Sequence, residues 1–567
     1  MNTHTPKLSL TVLMGMAAML GMTNADAEPQ RQAYIVESTG AAAAAGAAAA
    51  ARAVHRVGGR VTHELPIVDG VSALLSSAEA GRLRRQSGLA LFTDAPVVTQ
   101  SGGTNSTVPD VYQRAMIGVN ELGAQGINGA GVVVAILDSG ILQKPTLSYL
   151  TADLNGNNRM LAQYDATTSL LVDATHPCAK YPCANDGYGH GSHITSLLAS
   201  SNTSEAILNG EPQGIAPMAK LISVKAFDST GTGSYTTVLN GMNWILAHQK
   251  TYGAIRVVNM SFGAKPQSFY WNDPIDQAVM KLWQAGIVVV ASAGNFGPAA
   301  QTIAVPGNTP YVITVGAMTD NFTPDNPADD GVTSFSSTGP TYEGFVKPDL
   351  VAPGGHLAAF MDLSLQELPA KYPQFGSNDV NLFIMSGTSQ AAAVTSGVVA
   401  LMLQANPSLT PNQVKCRLVA TANAAIGAKG KAAYSVFQQG AGRIDAYAAV
   451  YSQASNCANL GLNIAADIAG TEHFGGPAHY NKTTGSYYVE DANGNPMTAD
   501  GYLWNQSFAK SEGYLWNQGY LWNNGYLWNS GYLWNNGYLW NSGYLWNQST
   551  LAPASTTTAM ESWNAQE

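Results

Sequence analysis

The sequence predicts an α/β fold with a doubly wound, mostly parallel sheet. Two apolar runs, at 132–137 and 287–291, have the length and β-branched composition of strands buried on both faces. Between and around them, helical stretches at 234–248 and 273–285 alternate with further strand-like runs at 221–226, 256–260 and 311–315. Strands that alternate with helices in this way form a parallel sheet with helices on both of its faces.

The composition is that of a large, weakly acidic chain. It has 567 residues, of which 46% are hydrophobic and 11% charged, and a formal net charge of -10. This length allows two or more domains. The lack of a basic cluster argues against nucleic-acid binding. Outside the N-terminus no stretch of about 18 uninterrupted apolar residues occurs, which predicts no transmembrane helix in the mature protein.

The N-terminus has two predicted segments. Residues 1–27 have the pattern of a secretory signal, with Lys7, an apolar stretch at 8–22 and a small-x-small site at 25–27, and they predict export. A buried N-terminal helix is the alternative. Residues 28–104 then give strand, helix, strand, strand, helix and strand, which predicts a small α+β unit ending in a polar linker.

Ser389 is a candidate nucleophile. It stands in Gly387-Thr388-Ser389, at the start of an apolar helical run at 390–403. A hydroxyl in the first turn of a helix lies at the positive end of the helix dipole, near free backbone N–H groups. Taken alone, such a serine is more often a simple N-cap. Ser386 lacks this context, and we interpret it as structural.

A base, an acid and an amide precede this serine. Asp138 ends the apolar run at 132–137, His190 lies between two glycines at the start of another helix, and Asn295 follows the run at 287–291. Parallel sheets keep their sites at the carboxyl ends of the strands. Ser192 and His193 follow His190 and are interpreted as structural. The order acid, histidine, amide, serine distinguishes one triad architecture from the others.

With these residues the chain resembles the subtilisin-like serine peptidases, the subtilases, over about residues 120–451. The Gly-x-Ser-x-Gly elbow of α/β-hydrolases is not matched at Ser389. The resemblance implies the triad Asp138, His190 and Ser389, with the Asn295 amide as oxyanion donor. The matching segments are 135–141, His190-Gly191-Ser192-His193, 214–217, 259–263, Ser292-Ala293-Gly294-Asn295 and Gly387-Thr388-Ser389.

The same resemblance implies a substrate cleft that binds peptide backbone as an added strand. Its lining would be Ser261, Phe262 and Gly263 on one side, with Ser292, Ala293 and Gly294 beside them. These segments contain no acidic residue, so a purely basic P1 preference is not indicated. One departure from the family is the run Gln390-Ala391-Ala392-Ala393, where Met-Ala-x-Pro is usual. Alanine is expected to preserve the helix there.

The resemblance also assigns the flanking segments. Residues 28–104 resemble an inhibitory prodomain, cut off between Thr99 and Val108, and a permanent N-terminal domain is the alternative. Residues 105–457 would be the catalytic domain. Catalysis would need no cofactor and no catalytic metal. Structural calcium is common in the family, and the oxygen-rich stretches at 153–158 and 320–330 are candidates, although such clusters are usually turns.

The four cysteines fit an oxidising compartment and allow three pairings. We favour Cys178 with Cys183, which are close in sequence, and Cys416 with Cys457. A zinc site is the alternative, but the spacing at 178–183 without paired histidines is poor for zinc.

The C-terminal part changes in composition. Residues 458–500 indicate a linker or small module, and 501–567 form a tail in which Gly-Tyr-Leu-Trp-Asn occurs seven times. The last six copies repeat every six residues, an even period that keeps Tyr and Trp on one face of an extended chain. An aromatic ribbon or stacked β-turns would follow. Such a tail could bind a surface, a polysaccharide or itself, or be a flexible low-complexity segment.

Together these features predict a secreted serine endopeptidase, matured by prodomain removal and able to associate with the cell surface through its tail. Its partners would be protein or peptide substrates and its own prodomain as an intramolecular inhibitor. The alternative is a catalytically inactive binding or adhesion protein that keeps the fold to display the tail. The complete set Asp138, His190, Ser389 and Asn295 favours the enzyme.

Overall fold

The computed structural model of the chain describes residues 30–99, 111–144, 147–175, 185–204, 208–323, 326, 328–377, 381–425, 433–490, 496–497 and 520–521. The predicted signal at 1–27, Cys178, Cys183 and all of the tail except 520–521 lie outside the described residues. No helix in the described part of the chain is long and apolar enough to span a bilayer.

The N-terminal unit is a four-stranded antiparallel sheet with two helices packed on it. The strand order is Arg60–Leu65, Gly70–Ser76, Arg31–Ser38, Leu89–Thr93. The helices Gly46–Arg56 and Ser77–Arg84 share one apolar core with these strands. The chain therefore has the sequence of elements expected for the small α+β unit.

This unit packs against two helices of the large domain, Tyr235–Ala247 and Pro274–Gln284. Asp94 caps the first helix, because its carboxylate accepts hydrogen bonds from Thr236 N and Thr236 Oγ1, each at 2.8 Å. Asp69 forms an ion pair of 2.9 Å with Lys281 on the second helix. The two units are thus joined by specific polar contacts.

The large domain is built on a nine-stranded sheet, and the prediction of a mostly parallel sheet is confirmed. Six strand pairs are parallel, and only the pairings of Gly331–Val332 and Leu170–Asp173 are antiparallel. The strand order is Gly331–Val332, Ile313–Thr319, Val288–Ser292, Ile255–Met260, Val133–Asp138, Lys220–Lys225, Met160–Asp165, Leu170–Asp173, with Leu350–Pro353 also paired to Ile313–Thr319.

Helices cover this sheet and build its core. Thr388–Ala405 is buried from Thr388 to Leu403, and it packs on the helix His190–Ala199 and on the central strands. This helix contains no charged residue, which fits its burial on all sides. Asp273 is the N-cap of the helix Pro274–Gln284, because its Oδ1 accepts a hydrogen bond from Ile275 N at 3.0 Å. Pro411–Thr421 is a further long helix.

The remaining elements are short. They are the helices Gln113–Met116, Val119–Ala124, Ser148–Thr151, Glu367–Lys371, Val436–Gln439, Ala446–Tyr451 and Ile464–Ile468, the 3₁₀ helices Gly40–Ala45, Pro66–Val68 and Pro373–Phe375, and the strands Pro96–Thr99, Thr232–Ser234, Phe262–Gly263, Leu357–Phe360, Gly376–Ser377, Leu382–Met385, Phe474–Gly475, His479–Asn481, Ser486–Glu490, Pro496–Met497 and Tyr520–Leu521.

The C-terminal segment is attached to the large domain. Cys416 and Cys457 form a disulfide, as predicted. Beyond it, the buried Asp467 accepts hydrogen bonds from the hydroxyls of Tyr270 at 2.6 Å and Tyr311 at 3.0 Å. Tyr520–Leu521, from the tail, pairs antiparallel with Phe474–Gly475. The rest of the predicted ribbon lies outside the described residues.

Candidate active site

Asp138 and His190 form a buried pair at the carboxyl end of the central strand Val133–Asp138. Asp138 Oδ1 lies 2.7 Å from His190 Nδ1 and also accepts a hydrogen bond of 2.7 Å from Ser139 N. Both residues are fully buried. Because an ionised carboxylate can only accept, Nδ1 carries the proton, and Nε2 of the neutral ring is then available as a base.

Two glycines bring His190 to this position. Gly189 has φ of 111° directly before the helix, a backbone conformation that favours glycine. Gly191 touches the turn after Asp138, since a Cβ there would lie 2.1 Å from the carbonyl oxygen of Gly140. Packing therefore requires the glycines on both sides of His190, because the start of this helix must lie close to the end of the strand.

Ser389 lies at the second position of the helix Thr388–Ala405 and is fully buried. Its Oγ donates a hydrogen bond of 2.9 Å to the carbonyl oxygen of Ser261, and Ser261 Oγ donates one of 2.9 Å to the carbonyl oxygen of Ser389. This reciprocal pair fixes the helix start against the strand end at Ser261. The hydroxyl has to rotate away from Ser261 before it can give its proton to a base.

Asn295 is held by the residue that precedes the serine. Its Oδ1 accepts hydrogen bonds from Thr388 N at 3.0 Å and from Thr388 Oγ1 at 2.8 Å. Thr388 Oγ1 in turn accepts one of 3.1 Å from Gly294 N. These contacts fix which end of the amide is the oxygen, and the amide nitrogen is the end with which Asn295 can donate.

A groove beside Ser261 contains an extended segment of the same chain. The strand Pro96–Thr99 pairs antiparallel with Phe262–Gly263 on one side and with Thr232–Ser234 on the other. In this register Thr99 is opposite Phe262, the residue after Ser261. The sequence analysis did not identify Thr232–Ser234 as a wall of the groove. The glycines at 231 and 233 are the feature of the sequence that could have indicated a close backbone approach there.

The other predicted cleft residues, 292–294, pack behind the strand Phe262–Gly263, which forms one wall of the groove. Ser292 Oγ donates a hydrogen bond of 2.9 Å to the carbonyl oxygen of Phe262. The backbone groups of Ala293 bond to Val315 and Ala304, each at 2.9 Å. Gly294 has φ of 107° at the turn before Asn295. In these contacts the segment 292–294 supports the wall and the start of the serine helix.

A family comparison decides the kind of protein. The model of the subtilase family, peptidase S8, matches residues 129–442. The chain belongs to the subtilase family. It is 38% identical over 296 residues to the serine protease AprX of Bacillus subtilis (strain 168), an alignment that covers 51% of this chain and 61% of AprX.

Other subtilases are similar over more of their length. Subtilisin E of Bacillus subtilis (strain 168) is 30% identical over 368 residues, 64% of this chain and 78% of that protein. The crystal structure of fervidolysin from Fervidobacterium pennivorans covers 82% of this chain and 68% of its own, with a TM-score of 0.57 and 21% identity, and it shows the fold. The relatives place the chain among subtilisin-like serine endopeptidases.

In the two stretches considered for calcium, the carboxylates of Asp153 and Asp320 face protein partners. Asp153 Oδ1 accepts hydrogen bonds from the backbone N–H groups of Asn155 and Asn157, each at 3.0 Å, and its Oδ2 lies 3.5 Å from Lys220 Nζ. Asp320 lies 2.8 Å from His356 Nε2. Among the described residues no group of three or more His, Cys, Asp or Glu side chains is arranged to hold a metal ion.

The histidine helix also contains the residues interpreted as structural. His193 is fully buried, with its Nε2 3.1 Å from the carbonyl oxygen of Phe383. Burial, and secondarily the charge of His190, lower the pKa of His193 to about 3, so it stays neutral at physiological pH. Ser192 Oγ donates a hydrogen bond of 2.7 Å to Asp186, a buried carboxylate that the sequence analysis did not single out.

Proposed function

We propose that the protein is an exported serine endopeptidase that hydrolyses peptide bonds through an acyl-enzyme on Ser389. The buried Asp138–His190 pair, with its 2.7 Å hydrogen bond, carries this proposal. A buried carboxylate that holds the proton on Nδ1 of a histidine leaves Nε2 as the base, which is the arrangement that a serine hydrolase needs. The reciprocal Ser261–Ser389 hydrogen bonds support the same proposal, because they hold the serine beside the strand Phe262–Gly263, with which Pro96–Thr99 pairs.

The proposed steps follow from the donors and acceptors. Ser389 Oγ attacks the carbonyl carbon of the substrate while His190 Nε2 takes the hydroxyl proton. Asp138 keeps Nδ1 protonated and stabilises the imidazolium that forms. The proton then passes to the leaving amine, and water repeats the sequence on the acyl-enzyme. Asn295 Nδ2 and the backbone N–H of Ser389 would stabilise the oxyanion.

Substrate would bind as a strand between Thr232–Ser234 and Phe262–Gly263. The segment Pro96–Thr99 already pairs with both walls, which supports recognition through the peptide backbone. Side chains of the substrate would then alternate between the two faces of this three-stranded arrangement. Recognition that rests on backbone hydrogen bonds favours a broad range of protein and peptide substrates.

Residues 28–104 would be a prodomain that inhibits the enzyme from within the same chain. The support is that the last described strand of this unit, Pro96–Thr99, fills the groove that a substrate would need. The contacts of Asp94 and Asp69 with the two catalytic-domain helices would hold it there. We propose cleavage in the 99–108 linker, soon after this strand, and export directed by residues 1–27.

The repeat tail would act outside the catalytic domain. The pairing of Tyr520–Leu521 with Phe474–Gly475 supports a tail that adds strands to a sheet edge, either of this chain or of a second copy. Attachment to a surface or polysaccharide through the Tyr and Trp side chains is the other proposed role, and it would make the enzyme cell-surface associated.

The test compares intact masses of purified wild type and Ser389→Ala, each treated with a fluorophosphonate probe. We expect wild type alone to lose its N-terminal unit and to add the mass of the probe. If both proteins remain full length and unlabelled, the hydrolytic function is wrong. The catalytically inactive binding protein would then be the better description.

A further inference from the structure

The strands Leu357–Phe360 and Leu382–Met385 are antiparallel neighbours, yet a long connection joins them. A turn of two residues is long enough to join two neighbouring antiparallel strands. Here the connection runs from Met361 to Asn381, and its described residues 361–377 contain the helix Glu367–Lys371 and the 3₁₀ helix Pro373–Phe375. We call residues 361–377 the strap.

The strap lies on the turn that precedes His190. Glu367 N and Leu368 N donate hydrogen bonds of 3.0 Å to the carbonyl oxygens of Gly187 and Tyr188. The strap also leaves no room for a side chain at Gly189, where a Cβ would lie 2.3 Å from Met361 Cε. The residues that lead into the histidine helix are therefore in direct contact with the strap.

The strap also contacts the turn that follows Asp138. Lys144, whose side chain is about one third exposed, forms an ion pair with the buried Asp362. Burial is the largest single influence and raises the pKa of Asp362, but the hydrogen bonds from Lys144 and Ser364 and the charge of Lys144 together lower the net pKa. The strap thus contacts the segment that follows Asp138 and the segment that precedes His190, the acid and the base of the proposed triad.

Gln366 is the point where the strap enters the core. It is 1% exposed, and its Nε2 lies 3.2 Å from the carbonyl oxygen of Asp186, 3.2 Å from Asp186 Oδ2 and 3.0 Å from Ser192 Oγ. Its Oε1 accepts a hydrogen bond of 2.9 Å from Asp362 N. Both ends of the amide are used, so the side chain is fixed.

Asp186 connects the acid to the base. Its Oδ1 accepts hydrogen bonds from Ser139 Oγ at 2.9 Å and Gly189 N at 2.7 Å, and its Oδ2 accepts them from Ser192 N at 2.8 Å and Ser192 Oγ at 2.7 Å. Ser139 follows Asp138, and Gly189 and Ser192 flank His190. One buried carboxylate therefore spans the two halves of the catalytic pair.

We propose that Gln366 is a positioning residue for the Asp138–His190 pair, which it holds in its working geometry through Asp186 and Ser192. The proposal rests on the hydrolytic function proposed above. Small displacements of a base from its productive geometry cost large factors in rate, so a side chain that touches no reacting atom can still set turnover.

The main test uses Gln366→Leu, which keeps the volume but removes the amide. We expect kcat to fall by about 10- to 100-fold with KM changed less than about twofold, because the groove is untouched. The control is Leu365→Ala at the neighbouring, 55% exposed position of the strap, which should match wild type. Rates are normalised to active sites counted with a fluorophosphonate, so misfolded protein does not contribute.

A second variant separates positioning from packing. Gln366→Glu has nearly the same shape, but its ionised form repels Asp186, whereas its protonated form can donate one hydrogen bond as the amide does. We expect the ratio of its kcat to that of wild type to rise as pH falls from about 8 to about 5. A contact that only fills space would give a ratio independent of pH.

The outcomes are separable. If wild type takes up no probe and cleaves no peptide, the hydrolytic function has failed, and with it the basis for assigning Gln366 a role. If wild type is active and Gln366→Leu equals it in kcat, the positioning role is wrong. Should Gln366→Leu not fold, Lys144→Met releases the strap from its exposed side and is expected to lower kcat about two- to fivefold. Wild-type kcat in Lys144→Met, with a pH-independent Gln366→Glu ratio, would also overturn the role.

Discussion

We predict that Glu37 makes the binding of the N-terminal unit to the large domain dependent on pH. It is 2% exposed, and its Oε2 lies 3.5 Å from Gln277 Nε2 on the helix Pro274–Gln284. Its Oε1 has no hydrogen-bond partner in the part of the chain that the structure describes. Burial and then the charge of Asp273 raise the pKa of Glu37 well above its usual range, and Lys281 only partly offsets them.

The sign and size of the effect follow from this raised pKa. A carboxyl whose pKa is higher in the complex favours the complex at low pH, and this advantage is lost as pH rises towards the raised pKa. Each pH unit between the free pKa of about 4.3 and the raised value costs about tenfold in affinity, or about 1.4 kcal/mol. The proposed prodomain, once cleaved, should therefore leave faster as pH increases.

The perturbation is Glu37→Gln, which imitates the protonated acid at every pH. We expect slower prodomain release at neutral pH and a flatter pH dependence, measured as the lag before peptidase activity appears after processing. Glu64→Gln, an exposed carboxyl on the strand Arg60–Leu65, is the matched control and should keep the wild-type pH dependence. An unchanged pH dependence in Glu37→Gln would refute the reasoning.

Three further predictions concern the catalytic domain. Ser389→Ala should abolish peptidase activity, whereas Asn295→Ala should lower it by about 10²- to 10³-fold, the cost of one oxyanion donor measured in subtilisin; equal losses would exclude the oxyanion role. Gly191→Ala places a Cβ 2.1 Å from Gly140 O and should cost about 1–3 kcal/mol of stability together with activity, and an unchanged Tm would contradict this. Cys416→Ser opens a disulfide loop of sequence separation 41 and should lower the free energy of unfolding of the Ser389→Ala protein in urea by about 4 kcal/mol; an unchanged free energy would contradict this.

Much of the large domain could be read from local patterns. The helix expected at 273–285 is Pro274–Gln284, and the strand expected at 221–226 is Lys220–Lys225. Such elements depend on apolar periodicity and on caps within a few residues, which the sequence displays directly. The candidate triad residues were accessible for the same reason, because glycines stand on both sides of His190 and a glycine lies two residues before Ser389.

The sequence by itself therefore determined the fold class, the order of the elements and the identity of Asp138, His190, Ser389 and Asn295 as candidates. Only the tertiary structure decided which side chains meet. Gln366 reaches Asp186 across a sequence separation of 180, and Pro96–Thr99 fills a groove whose walls come from two distant strands. Hydrogen-bond partners so far apart leave no periodic trace in the sequence, since their pairing depends on how the whole core packs.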